Sequence, residues 1–359
     1  MPNTYRVVQW TTGNVGKSSV AAIARNPHLE LVGCYAWSAE KAGRDVGELC
    51  GIEPLGVTAT NDVGELLALK PDVVVYNPMW IDVDELVGIL EAGVNVVASA
   101  SFITGRNLGD GRDKLEKACQ KGGSTLFGSG VSPGFAELLA IVAATACDRV
   151  DKIIIAESAD TTLYDSPDTE RPTGFGTAID DPNLQPMAEK GTAVFAEAVQ
   201  LVADAIGVEL DEIKCVPEYA QTTEDLVMAS WTIPAGHVAG VAASWQGLVK
   251  DAAGRQQTVV DINVRWKKGQ TLEPDWQLDA DGWKITIEGR PTVNMQVGFL
   301  PPQDMIENAK TIEDFFVLGH IMTAMPPIHA ISAVVAAAPG IATYNDLPLN
   351  LPRGVVPTA

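Results

Sequence analysis

Along the first 135 positions, short apolar runs alternate with stretches of helical spacing. Arg6-Val7-Val8-Gln9-Trp10 reads as a strand running into Thr11-Thr12-Gly13-Asn14-Val15-Gly16-Lys17. Ser18 to Asn26 then has helical character and stops at Asn26-Pro27, where proline disfavours helix at the residue before it. Leu29 to Ala36 is a second strand. The alternation continues with a leucine-rich helix (Val63 to Leu69), a strand (Asp72 to Tyr76), a helix (Val83 to Ala92), a strand (Val94 to Ser99), a helix (Lys114 to Lys121) and a strand (Ser124 to Phe127). Such βα alternation predicts an α/β fold with a doubly wound parallel sheet.

From about Asp148 the period changes. Lys152 to Glu157, Val227 to Ile233, Gly247 to Val249, Thr258 to Trp266 and Trp283 to Glu288 read as strands, several with the alternation of an antiparallel or mixed sheet. Between them Asp160 to Pro186 is rich in Thr, Pro, Asp and Gly, a long loop of the kind that serves as a lid. Glu189 to Ile206 has helical spacing, and Ile312 to Ala338 is a largely apolar helical run broken by Pro326-Pro327. The expected division is a nucleotide domain over 1–140, with 325–359 returning to it, and an α+β domain over 141–324.

Strand, glycine turn and helix in that order are how a dinucleotide-binding Rossmann unit begins. Gly13 lets bare backbone approach a pyrophosphate, Gly16 lets the helix sit close on the strand, and the helix N-terminus offers N–H groups and a positive dipole end. Thr12, Gly13, Asn14, Val15 and Gly16 are therefore the expected diphosphate binders. A full G-x-G-x-x-G would have glycine where Thr11 stands, so a residue with a Cβ must make the turn. Two other readings stay open. Gly13 to Ser18 ends like a P-loop, although its first glycine is again Thr11 and the strand before Asn77 closes without an acidic residue for magnesium. The plainer one is a turn that only joins strand to helix.

A Rossmann unit that prefers NAD often carries Asp or Glu about 20 residues beyond the glycines. Here Ser38, Lys41 and Arg44 offer hydrogen bonds and charge to a 2′-phosphate, and Glu40 is the alternative partner for a ribose diol. The strand end lacks a carboxylate, which favours NADP over NAD. Ligands of such sheets sit at the carboxyl ends of the strands, so Asn77, Pro78, Met79, Ser99, Ser101 and the turn Gly128 to Phe135, Ser132 included, are expected at the nicotinamide end. As ordinary turn formers they would have no such role.

Composition narrows the partners. The chain has 359 residues, 46% of them apolar, and a net charge of −21, which would repel nucleic acid and anionic membranes. No apolar run approaches the roughly 20 residues that span a bilayer, and no signal peptide is evident, so a cytoplasmic protein is expected. Five scattered cysteines without a C-x-x-C suggest buried, reduced thiols. His28, His237, His320 and His329 show no metal-ligand spacing, and no metal is expected.

On Y-R-V-V-Q-W-T-T-G-N-V-G-K (Tyr5 to Lys17), K-A-G-R-D-V-G-E-L (Lys41 to Leu49), G-S-G-V-S-P-G-F (Gly128 to Phe135) and P-P-I-H-A-I-S-A-V (Pro326 to Val334), the chain resembles the dihydrodipicolinate-reductase-like oxidoreductases. That group includes 2,4-diaminopentanoate dehydrogenase and the native amine dehydrogenases. The resemblance implies a Rossmann reductase with an α+β substrate and dimerisation domain, moving hydride between a nicotinamide cofactor and a C–N or C–O carbon. The histidine-rich segment with a lysine that true dihydrodipicolinate reductases carry is missing. So is the glutamate that the amine dehydrogenases carry after the strand matching Val94 to Ser99, where this chain continues Ala100-Ser101-Phe102-Ile103-Thr104. A glutamate there takes a proton from ammonia or a bound amine. Its absence favours reduction of a carbonyl or a preformed imine, or the reverse, over reductive amination.

Hydride transfer to a carbonyl leaves an alkoxide that needs a proton donor. Tyr164 on the long loop, His237 and Ser101 are the candidates; the bland readings are that Tyr164 packs the loop and that His237 caps a turn. His329 reads as a core histidine, and Glu157 and Asp160 follow a strand towards the expected cleft. Phe102, Phe135 and Phe175, with Trp80 nearby, make the expected pocket apolar, and no arginine pair clamps a carboxylate. An apolar small molecule is the expected substrate, and the chain is expected to form a homodimer. The reading from a different class is a non-catalytic NAD(P)-binding redox sensor.

Overall fold

Val73, Val74, Val75 and Tyr76 are all buried, and a run with no polar face belongs to a strand covered on both sides. The computed structural model describes residues 4–99, 101–278 and 282–356. Ala100, the first residue of the loop after the Val94 to Ser99 strand, lies outside them. Two units divide the chain, Met1–Phe135 with Val317–Ala359, and Ala136–Phe316.

The first unit is a parallel sheet with helices on both faces. Strands β1 (Tyr5–Trp10), β2 (Leu29–Tyr35), β3 (Ala59–Thr60), β4 (Val73–Tyr76), β5 (Asn95–Ala98) and β6 (Thr125–Gly128) are joined by the last strand of the chain, β16 (Gly340–Ala342), in the order β16-β6-β5-β4-β1-β2-β3. Alternate residues feed opposite cores, as strand geometry requires. Val8, Trp10, Val74, Tyr76 and Val96 pack with Leu86, Leu90 and Leu115 on one face, and Val7, Val73, Val75 and Val97 pack with Ile23, Ile328, Ile331 and Val334 on the other. Trp10 stacks on Tyr35 with centroids 4.5 Å apart. The Tyr76 hydroxyl donates to Glu85 at 2.7 Å, fixing the helix Val83–Glu91 to the sheet.

Two expectations change in this unit. The C-terminal apolar run is one helix, Val317–Val335, that continues through Pro326 and Pro327. Each proline removes a backbone donor, but Pro327, Ile328, Ala330, Ile331 and Val334 are buried, so packing offsets the loss. With the preceding turn, Asp314–Val335 is long and apolar enough by length and composition to cross a bilayer, contrary to the expectation that no run approaches that length. Here its apolar face covers the sheet.

The second unit is built on a mixed sheet. Its strands are β7 (Arg149–Asp160), β8 (Glu212–Thr222), β9 (Leu226–Val227), β10 (Thr232–Ile233), β11 (Val238–Lys250), β12 (Gln256–Lys267), β13 (Leu272–Glu273), β14 (Gly282–Arg290) and β15 (Val293–Val297). The order is β13-β8-β11-β12-β7-β14-β15, with only β7 and β12 parallel, and β9 and β10 form a separate ribbon. The expected strand Val227 to Ile233 is thus that ribbon and its turn, and Gly247 to Val249 is the end of a far longer strand. β8 was not expected: Pro217 lies within it, and Glu212, Lys214, Val216 and Glu218 point to solvent, so its apolar signal is weak. The helical stretch Glu189 to Ile206 is two helices, Leu184–Gly191 and Val194–Ala205.

The helix Val194–Ala205 covers one face of this sheet, where the Trp245 indole reaches the Thr192 hydroxyl at 2.9 Å. On the opposite face Asp261 pairs with Lys152 at 2.9 Å and accepts from Ser244 and Asn263 at 2.8 and 2.9 Å. Arg265 pairs with Glu218 on the same face at 3.1 Å.

Gly128 closes β6 against the backbone of the preceding loop, and a Cβ there would stand 1.9 Å from the Phe102 carbonyl oxygen. Gly128→Ala is expected to lower stability by about 2–3 kcal/mol, because a backbone atom cannot step aside as a side chain can. Denaturant unfolding of the purified variant checks this; an unchanged midpoint contradicts the packing described.

Candidate functional site

The glycine turn is built by a buried polar knot. Gln9, with no solvent exposure, sends its side-chain amide to the Thr11 carbonyl at 3.0 Å and to Asn77 Oδ1 at 2.8 Å. Asn77 Oδ1 also accepts from Ser19 at 3.0 Å, and the Thr11 hydroxyl donates to the Asn77 carbonyl at 3.2 Å. Thr11 has φ of 72°, the left-handed conformation that a residue with a Cβ adopts only under constraint. Strand ends and helix are thereby drawn so close that a Cβ at Gly16 would lie 2.5 Å from the Thr11 carbonyl oxygen.

Gly13 is the opposite case. It caps the helix Asn14–Arg25 with ordinary extended backbone, and nothing described lies within 4 Å of where its Cβ would be. No side chain caps this helix and no acidic residue stands in its first turn. The N–H groups of Asn14, Val15 and Gly16 thus precede the first intrahelical bond, which Lys17 makes to the Gly13 carbonyl at 2.8 Å. A cradle without a Cβ, open donors and a dipole end together suit a diphosphate.

Lys41 arrives beside it, its ammonium 3.1 Å from the buried Thr12 hydroxyl. Ser38 opens the turn that carries it, accepting from the Glu40 and Lys41 amides. Arg44 is exposed on the same turn, and Trp37, which the sequence reading passed over, is 74% exposed just before it. Asp45 holds the turn closed by accepting from the amides of Gly47, Glu48, Leu55 and Gly56, bonds that lower its pKa, the Leu55 amide most. A Cβ at Gly47 would stand 2.1 Å from the Glu53 carbonyl oxygen. Asp45 and Gly47 of K-A-G-R-D-V-G-E-L are therefore structural.

Of the residues expected at the nicotinamide end, Ser99 is buried and donates its amide to the Tyr76 carbonyl, Pro78 is half-buried, and Ser101 is exposed. The Ser132 hydroxyl is enclosed and has no hydrogen-bond partner among the described residues, so a ligand oxygen or nitrogen would satisfy it. Asn77 turns its Oδ1 inward to Gln9 and Ser19 and so builds the turn, while its Nδ2 has no hydrogen-bond partner among the described residues. One assignment is corrected. Phe102 is 1% exposed and belongs to the core beneath the sheet, because the loop after β5 folds back onto β6. Phe135 remains half-buried.

In the second unit the expected loop is largely ordered. Its first part forms a short helix, Pro167–Glu170, and its second part enters the core, where Phe175 is 2% exposed with Leu184, Trp231 and Ile233 around it. Phe175 therefore lines no open pocket. Tyr164 there is 43% exposed, with its hydroxyl 3.2 Å from Thr169 Oγ1. His237 turns Nδ1 to the Ala235 carbonyl at 3.2 Å within its own turn, the contact of a turn cap. Glu157 accepts from the indoles of Trp266 and Trp283 at 2.8 and 3.0 Å.

Sequence reading missed Lys268. Its ammonium, with no solvent exposure, pairs with Glu170 at 2.7 Å and donates to the carbonyls of Thr161, at 2.7 Å, and Tyr164. Desolvation raises the Glu170 pKa and the Lys268 charge opposes that rise. The second of two adjacent lysines at a strand end carries no periodic signal that could have revealed its burial. Burial also pushes the thiols of Cys50, Cys119 and Cys215 up to about 11 and that of Cys34 to about 12, so these cysteines are poor nucleophiles. His329 is held below the usual imidazole range by desolvation.

Residues 135–357 match the family model of the 2,4-diaminopentanoate dehydrogenase C-terminal domain, and residues 7–98 match that of the dihydrodipicolinate reductase N-terminus. An amine dehydrogenase from Streptomyces virginiae is 30% identical over 96% of this chain and 96% of its own length. The 2,4-diaminopentanoate dehydrogenase of Acetoanaerobium sticklandii is 23% identical over 76% of this chain and 71% of its own. Among solved structures, the amine dehydrogenase from Mycobacterium smegmatis aligns over 98% of both chains with a TM-score of 0.76 at 19% identity, a likeness of fold.

The two glycines of the turn should separate in a melting experiment. Gly16→Ala is expected to cost about 1–3 kcal/mol through the clash with Thr11. Gly13→Ala should stay within about 1 kcal/mol of the parent, since its dihedrals suit alanine. Equal losses at both positions would contradict this division.

Proposed function

The chain belongs to the dihydrodipicolinate-reductase-like oxidoreductases that include 2,4-diaminopentanoate dehydrogenase and the amine dehydrogenases, and we propose that within this NAD(P)-dependent group it moves hydride between NADP and an apolar carbonyl or imine carbon. The observation that carries the reading is the uncapped helix behind Gly13, with Lys41 beside Thr12. When bound, a nicotinamide dinucleotide would supply the hydride. The amides of Asn14 to Gly16 would hold the diphosphate, Lys41 with Ser38 and Arg44 would meet a 2′-phosphate, and the exposed Trp37 indole would offer its face to a base. The Ser132 hydroxyl would satisfy its missing hydrogen bond on the ligand.

Tyr164 takes the role of proton donor to the developing alkoxide or amide nitrogen, since its exposed hydroxyl is already oriented by Thr169. The preference for carbonyl or imine over reductive amination rests on the sequence between Ala100 and Thr104, which has no carboxylate to take a proton from ammonia. A second copy of this chain is the proposed partner. The face of the β7–β15 sheet bearing Lys152, Asp261, Arg265 and Glu218 pairs opposite charges on a chain of net charge −21, so two copies can approach there with little repulsion.

The test is oxidation of NADPH by the purified protein with a panel of cyclic ketones, aldehydes and preformed imines, with and without ammonia. Turnover independent of ammonia is expected. Amine formed only when ammonia is added would overturn the substrate preference, and NADPH binding without any turnover would favour a redox sensor.

Lys41→Ala is expected to weaken NADPH binding about tenfold in calorimetry, an ion pair's worth of about 1.4 kcal/mol, with NADH affected little. An unchanged preference between the two would refute the NADP assignment.

A further inference from the structure

An ammonium group has three donors, and a buried lysine must place all of them. Lys268 does so on one short segment. The Thr161 and Tyr164 carbonyls take two hydrogen bonds, the Glu170 carboxylate pairs with the charge at 2.7 Å, and the Phe175 ring centroid lies 5.9 Å from Nζ. The backbone on both sides is fastened to the same place. Lys268 donates its amide to the Ala239 carbonyl, Gly269 donates to the Thr162 hydroxyl at 2.9 Å, and Thr161 donates to the Lys267 carbonyl. Glu170 in turn accepts from the Ser166 amide at 3.3 Å. Ten residues, 161–170, are thus wrapped on one cation, much as a loop wraps on a bound metal ion.

An apolar residue could fill this volume at lower desolvation cost, so the charge calls for an explanation beyond packing. We propose that Lys268 is a positioning residue: its ammonium sets the backbone of 161–170 so that Tyr164 presents its hydroxyl, with Thr169 fixing the remaining rotation. This rests on the reading of Tyr164 as proton donor. A misplacement of about 1 Å in such a group lowers the rate of the chemical step far more than it lowers cofactor binding.

The experiment compares Tyr164→Phe, the paired replacement Lys268→Met with Glu170→Met, and all three together. The pair is replaced as a whole because either change alone leaves a buried charge without its partner. In ketone reduction at saturating NADPH, Tyr164→Phe and the paired replacement are each expected to lower kcat at least tenfold, with the NADPH Kd within twofold of the parent. The triple variant should be no slower than Tyr164→Phe. A purely structural role would lower the melting temperature yet leave kcat of the folded protein intact.

A parental rate from Tyr164→Phe overturns the proton-donor reading and the inference with it. A slow Tyr164→Phe beside an unimpaired paired variant, or losses that multiply in the triple, overturns the inference alone. If the paired variant fails to fold, hydrogen exchange on the parent protein decides. The amides of Thr169 and Glu170 should be protected at least a hundredfold, and exchange at the rate of unstructured peptide rejects the cation-centred loop.

Discussion

The dinucleotide turn depends on how closely one helix approaches the ends of two strands. Gln9, Asn77 and Ser19 form a buried set of hydrogen bonds between β1, β4 and the helix that follows, and that set leaves no room for a side chain at Gly16. Thr11 then has to turn the chain with a positive φ, a conformation that costs a non-glycine residue about 1–2 kcal/mol. Its bonds to the Tyr35 and Asn77 carbonyls offset part of that cost. What remains at the surface is a helix start with no cap and an empty cradle at Gly13. Rigidity beneath and unmet donors above are two results of one packing constraint.

Much of the first unit was legible because its signals are periodic. Apolar runs such as Val73 to Tyr76 and Val94 to Ala98 have no polar face, and the glycine turn has chemistry of its own, so strands, helices and diphosphate site follow from local residues. The side chains that depend on how a loop returns were not legible. Phe102 follows a strand end, where a pocket residue is expected, but the loop folds back onto β6 and carries it into the core. Asn77 has a related ambiguity, since an amide at a strand end serves a ligand or a neighbouring strand equally well, and only the position of Gln9 shows that its oxygen serves the strand.

The second unit hid more, for a physical reason. Its sheet is open to solvent on one face, so β8 alternates charged and apolar residues around a proline and carries little signal. Its most consequential residue, Lys268, is a charge in a core, and no pattern of hydrophobicity foretells that. The first unit draws its backbone together by leaving out side chains; the second orders a segment by burying a cation among carbonyl oxygens. The first leaves helix amides unmet at its surface, whereas the second encloses its cation completely.

The sheet borders carry a consequence of another kind. β3, β13 and β16 are two or three residues long, and β15, the one longer border, has Asn294 and Gln296 on its exposed positions and prolines at 291, 301 and 302 on either side. A foreign strand needs a flat run of unsatisfied amides on which to dock. The part of β8 that β13 leaves uncovered, Glu212–Ala220, is interrupted by Pro217 and carries the charges of Glu212, Lys214 and Glu218, so crowded solutions of the native protein should stay clear of fibrillar stacking.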